Sequence, residues 1–190
     1  TMLFAGPFED DVDWADVSPE GMARWIQRVW RSVNAAASPV GGGESAWPAD
    51  PELERLAHRT TAGVTDDLER FRFNTAISKL MVLSNGLADA VRAGRGSAAQ
   101  RRDAAERLVL LLAPLAPFVT EELGRALSGV ETLTLGPWPA ERPGDVDPRA
   151  EAAMADLQEA IVALRRFRAE AQAAAEVLRT AYELMMERAE

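Results

Sequence analysis

The residues of this sequence best equipped for chemistry are cations. Arg24, Arg28 and Arg31 lie off the apolar stripe of one predicted helix, and Arg70, Arg72 and Lys79 stand around the corner between two others, at positions that apolar neighbours leave facing solvent. Such side chains bind phosphate oxygens, and the affinity comes largely from counterions released by the polyanion. Metal and acid–base chemistry find less support. His58 is the only His and Cys is absent, so a conventional metal cluster lacks ligands. Asp66-Asp67 and Glu121-Glu122 are adjacent pairs on predicted helices; they point apart and read as solvated faces. Gly41-Gly42-Gly43 lacks the Gly-Lys-Ser/Thr ending of a phosphate loop and the preceding strand of a dinucleotide fingerprint. Trp25 and Trp30 share the apolar stripe and read as core, not as base-stacking platforms.

The elements that must position these cations are helices. Ser18 is a predicted N-cap ahead of Pro19, and Met22, Trp25, Ile26, Val29, Trp30 and Val33 form one face of the helix that follows. Pro39, the three glycines, Ser45 and Pro48 make a loop. Asp50-Pro51 opens a second helix running to about Arg70, with Gly63 a weak point costing about 1 kcal/mol relative to Ala. Asn74 is the predicted cap of a third, which ends at Gly94 and carries Ile77, Leu80, Met81, Leu87 and Val91 on one face. A fourth helix starts near Ser97, becomes apolar all round from Leu108 to Ala113 and is broken by Pro114 and Pro117. A short helix to Leu127 follows, and Thr132 to Leu135 alternates in strand fashion without sheet partners. The expected fold is all-α: an antiparallel bundle of about five helices with a long C-terminal helix, and Trp25, Ile26, Trp30, Leu68, Phe71, Ile77, Leu80, Met81, Leu108, Leu111 and Leu112 buried together.

With 190 residues the chain can bury a real core without staples. The absence of Cys fits a reducing compartment such as the cytosol. The longest apolar run, Leu108 to Ala113, is far shorter than the roughly 20 residues that span a bilayer, and the early acids Glu9, Asp10, Asp11, Asp13 and Asp16 do not fit a signal peptide. A start at Thr1 and not at Met suggests a piece of something longer. The formal charge of −9 excludes whole-surface attraction to nucleic acid and leaves a local basic patch on an acidic body.

Four stretches agree in order and spacing with one family. His58 to Met81 resembles the "HKTI..VTEDIERFRFNTAI..LMELVN" pattern of the anticodon-binding domain of leucyl-tRNA synthetases. Leu3 to Phe8 resembles their "MFMGPF", Arg28-Val29-Trp30-Arg31 their "RVWRL", and Leu110 to Leu123 with Gly136-Pro137-Trp138-Pro139 their "LLLAPFAPHIAEELW" and "APWP". From Pro148 the chain departs from the leucyl pattern: Asp147 to Arg168, with Met154, Leu157, Ile161 and Leu164, looks more like the valyl enzymes' "LQELIRAIRNLRAE", and Leu178, Tyr182, Met185 and Met186 resume an apolar face. The resemblance implies residues 1–17 as a connector from a catalytic domain and 18–139 as a tRNA-binding bundle; the Ala-rich composition of 140–190 predicts a linker and a long helix.

It implies tRNA and the synthetase's own catalytic domain as partners, no membrane, and a cytoplasmic location. Arg24, Arg28, Arg31, Arg70, Arg72 and Lys79 are the expected contacts to the phosphates of a tRNA arm. Arg165, Arg166 and Arg168 are a second cluster that the valyl likeness alone supports. The "HIGH" and "KMSKS" signatures of an aminoacyl-tRNA ligase are missing, so the segment is expected to activate nothing and to hold no cofactor, with ATP and Mg implied only for the catalytic domain. Two readings stay open: an anticodon-arm-binding domain of leucyl type, with valyl type as its variant, and a synthetase-derived helical module for protein contact.

Overall fold

The structure, a computed structural model, describes residues 1–6, 18–37, 47–140 and, further on, 160, 163, 164, 166–168, 171 and 172. Outside them lie Phe8 and Trp14 of the expected connector, Gly41-Gly42-Gly43, Arg165, and the apolar positions Met154, Leu157, Ile161, Leu178, Tyr182, Met185 and Met186. Two compact units divide the chain, residues 1–145 and 146–190. The described residues of the second unit are helical, and those of the first form the expected all-α bundle.

After a single turn, α1 (Met2–Ala5), come five helices: α2 (Pro19–Ala37), α3 (Pro51–Glu69), α4 (Phe73–Arg92), α5 (Ala98–Leu112) and α6 (Pro117–Ser128). α4 and α5 pack on each other at the centre, α3 packs on both, and α2 packs on both as well as on α6. The helix ends follow cap chemistry. Asp50 Oδ1 accepts from the amides of Glu52 and Leu53, each at 3.1 Å, and Pro51 occupies the first turn, where a missing donor costs nothing. Ser97 and Gln100 form a reciprocal capping box at the start of α5. Gly129 closes α6 with φ +65°, a conformation that a Cβ disfavours.

Leu80, Leu108, Leu111 and Leu112 are fully buried, as are Trp25 and Ile77 to within a few per cent. Ile26, Leu68 and Met81 pack against this core while partly buried. Trp25 satisfies its indole by donating from Nε1 to Ser84 Oγ at 3.0 Å. Two side chains break the expectation. Trp30 is 42 % exposed, because one residue past Val29 the helix has turned about 100° from the centre of its buried arc. Phe71 is 61 % exposed: it stands between α3 and α4 with φ +58°, and its ring meets Phe73 edge-on at 5.9 Å, outside the core.

That left-handed residue also moves the start of α4. The helix begins at Phe73 with Arg72 as its cap residue, so Asn74 lies inside the first turn and is not the cap; no side chain caps this end. The stretch 132–135 forms no strand either. Among the described residues there is none, and this segment is organised by Glu121, whose carboxylate accepts from the amides of Leu133 (2.9 Å) and Thr134 (3.2 Å) and from both threonine hydroxyls. Leu133 then seats on Gly124, where an ideal Cβ would lie 2.6 Å from Leu133 Cγ.

Candidate nucleic-acid interface

Arg24, Arg28 and Arg31 fall within about 60° of arc on α2, at roughly 100° per residue, opposite Trp25, Val29 and Val33. All three are exposed. Arg31 donates from Nε to its own helix, at Gln27 O (3.3 Å). Arg24 stands near Glu20, whose carboxyl lies below the usual range because it accepts from its own backbone amide and from the Ser18 hydroxyl (3.0 Å), with a smaller contribution from the Arg24 charge. Among the described residues Arg28 and Arg31 form no ion pair with a carboxylate. The helix therefore presents three exposed arginines, of which Arg24 has Glu20 beside it.

The corner between α3 and α4 is arranged differently, and the expectation of three cations facing out needs correcting. Arg70 pairs with Asp66 at 2.8 Å, Arg72 bridges Asp66 (2.5 Å) and Asp67 (2.9 Å), and Lys79 reaches Asp67 at 2.6 Å. Arg70 and Arg72 remain exposed, yet two carboxylates absorb most of the field of the three cations. Asp67 is not a solvated face residue: its side chain is 2 % exposed. Lys79 also donates to Gly63 O at 3.1 Å, lying so close to α3 that a Cβ at Gly63 would be 3.0 Å from its Cδ. Gly63 is thus the seat of the lysine stem. The backbone supports the joint through Arg72 N donating to Asp67 O at 2.7 Å and Phe71 N to Leu68 O at 3.1 Å.

Most other cations of the first unit are matched as well. Arg92 pairs with Asp89, Arg95 with Asp50, Arg102 with Glu106, Arg107 with Asp103 and Arg125 with Glu122. Arg101 is buried, donates to Gly96 O and lies 4.1 Å from the Trp47 ring centroid. Arg107 also reaches Thr61 Oγ1 and Ala140 O, while Trp138 Nε1 donates to Thr65 Oγ1 at 2.9 Å, so that the stretch after α6 is tied to α3 and α5. Arg55 and Arg59 on α3 are exposed and form no ion pair among the described residues. Sequence reading passed over them, although their spacing of four residues was the available signal. In the second unit Arg166 and Arg168 are exposed helical residues. Among the described residues no three His, Asp or Glu side chains converge as a metal site would require.

The stripe thus lies on a chain of net negative charge. Residues 50–181 match the family model of the anticodon-binding domain of tRNA ligase. The chain belongs to this family. The match begins at the α3 cap, so the α2 stripe lies before the matched span. Relatives include the leucine–tRNA ligase of Acidothermus cellulolyticus, 40 % identical over 144 residues, which is 75 % of this chain and 17 % of that protein. Leucine–tRNA ligase 1 of Rhizobium johnstonii is 37 % identical over 179 residues, 86 % of this chain and 20 % of that protein. Among solved structures, a ternary complex of the Agrobacterium radiobacter K84 agnB2 LeuRS with tRNA and LeuAMS superposes with a TM-score of 0.64 at 27 % identity, over 77 % of this chain and 20 % of that one. The chain spans about a fifth or less of the length of these relatives. Among the described residues no helix is long and apolar enough to cross a membrane.

Proposed function

We propose that this anticodon-binding domain holds the anticodon arm of a tRNA for a cytoplasmic leucine–tRNA ligase, and that the exposed stripe of Arg24, Arg28 and Arg31 is its main phosphate-binding surface. The observation that carries the reading is that three exposed arginines share one face of α2 in a chain of charge −9, where seven other described arginines of the first unit already have carboxylate partners. The similarity to leucine–tRNA ligases, one of them solved with tRNA, supports the choice of ligand. Arg70, Arg72 and Lys79 contribute less, because a phosphate there competes with Asp66 and Asp67. Arg166 and Arg168 remain a secondary cationic cluster. ATP and Mg belong to the catalytic domain of the ligase, the second partner in this reading.

Fluorescence anisotropy of a labelled leucine-tRNA transcript, titrated with this chain at 50 and 200 mM salt, tests the proposal. Binding that weakens steeply with salt, and that weakens further on Arg28→Ala but little on Arg72→Ala, is the expected result. Absence of binding at the lower salt, with the bundle shown to be folded by circular dichroism, would end it.

A further inference from the structure

Beside the arginine stripe α2 carries a second feature, an apolar groove of about 490 Å³ lined by Ile26, Gln27, Trp30, Arg31 and Val119. Its wall is the indole of Trp30, which is 42 % exposed, whereas Trp25 five residues earlier is 3 % exposed with its indole nitrogen bonded to Ser84. Phe118, next to Val119 at the start of α6, is 90 % exposed. An aromatic ring half out of the core next to a guanidinium has little structural purpose there. It costs the hydrophobic gain that its neighbour Trp25 realises.

We propose that this groove is a stacking subsite for one unpaired nucleotide of the bound RNA: the base lies against the Trp30 ring over the apolar floor of Ile26 and Val119, while Arg31 and the stripe behind it engage the phosphates on either side. The proposal rests on the reading of α2 as the RNA-binding face and goes beyond it, from phosphate contact to a nucleobase pocket. Charge complementarity selects the occupant. A purely apolar groove would take a protein side chain, but this one opens onto a cationic stripe, and an unpaired nucleotide combines a flat π face with a neighbouring negative charge. Stacking is sequence-tolerant because every base has such a face, so Trp30 holds a splayed nucleotide without reading its identity.

Stacking and phosphate contact leave different signatures. Removing a ring weakens binding without changing the number of counterions released, whereas removing a guanidinium lowers the slope of log K against log salt by about 0.9. The experiment measures the anisotropy of labelled leucine-tRNA transcript and of a blunt RNA duplex with wild type, Trp30→Ala, Trp30→Phe and Arg31→Ala, each across 50–200 mM salt. Trp30→Ala should bind the tRNA about 5- to 150-fold more weakly with an unchanged salt slope, Trp30→Phe should recover most of the loss, and the duplex should not distinguish them. Because Trp30 is half exposed, both variants should keep the wild-type circular dichroism. Unchanged tRNA affinity in Trp30→Ala, with wild type binding normally, overturns the stacking subsite and leaves the phosphate face standing; an accompanying change in self-association would assign the groove to contact between copies. Failure of wild type to bind tRNA overturns the proposed function and this inference with it.

Discussion

Lys79→Met tests whether the corner between α3 and α4 is held by a buried carboxylate. Asp67 is almost wholly buried, and its oxygens face Lys79 Nζ at 2.6 Å and Arg72 Nη2 at 2.9 Å. Breaking a buried ion pair by removing one partner typically costs about 3–5 kcal/mol. Here Arg72 stays, and the lysine side chain is 43 % exposed, so the full penalty does not apply. The loss of two charge-assisted bonds from the ammonium, to Asp67 and to Gly63 O, reduced by solvent screening of the half-exposed lysine, sets the cost at about 2 kcal/mol. The sharper consequence lies in the double mutant. Asp67→Asn removes the charge that Lys79→Met strands, so the pair of substitutions should cost no more than Lys79→Met alone, giving a coupling energy of about 1 kcal/mol or more. Urea midpoints at constant m-value read both quantities. Strictly additive losses would refute the reasoning, because they would mean that Lys79 and Asp67 act independently.

The Glu121 clasp makes stability depend on acid. Its carboxyl is lowered from 4.5 to about 2, first by the Leu133 amide, then by the Thr134 hydroxyl and the other donors of that loop. A depressed folded pKa contributes stability that is fully present above about 4.5 and is lost as pH falls towards 2. The melting temperature of wild type should therefore exceed that of Glu121→Gln by a constant margin above about pH 5, and the two curves should converge between pH 4.5 and 2; parallel curves would contradict the clasp. Leu80→Ala, at a fully buried position, should cost about 2–5 kcal/mol, and a urea midpoint too close to wild type to resolve would remove Leu80 from the core. Asn74→Ala should change stability by less than about 0.5 kcal/mol, since Asn74 lies within the first turn of α4 and caps nothing; a loss of 1 kcal/mol or more would restore it as a cap.

Local chemistry is what the sequence displays openly. Asp50-Pro51, Ser97 with Gln100, and Gly129 state three helix ends in residue types whose capping roles need no tertiary context. The alternation of apolar and polar positions placed Trp25, Ile77, Leu80 and Leu108 in the core for the same reason. Trp30 went wrong by the angle between neighbouring positions: a stripe drawn wide enough to hold Ile26 also admits Trp30, which lies about 100° from the centre of the buried arc and stays 42 % exposed. Asn74 went wrong because the helix start depends on Phe71 adopting a left-handed backbone, which no propensity favours for a Phe. The largest hidden feature was charge pairing. Arg70 sits four residues after Asp66 and could have been paired from spacing, but Lys79 and Asp67 are twelve apart on different helices and meet only once the corner has formed. Glu121, eleven to thirteen residues before the threonines that surround it, was hidden in the same way.

The most direct test of the central claim is the salt slope of tRNA binding as the α2 stripe is dismantled. Anisotropy titrations of labelled leucine-tRNA transcript would be run from 50 to 200 mM salt with wild type, Arg28→Ala and Arg28→Ala/Arg31→Ala, alongside Arg72→Ala. A stripe that meets phosphates should lose about 0.9 from the slope of log K against log salt with each guanidinium removed, close to two in the double variant, with Arg72→Ala near wild type. Wild-type slopes in both α2 variants, with tRNA still bound, would show that the RNA meets another face.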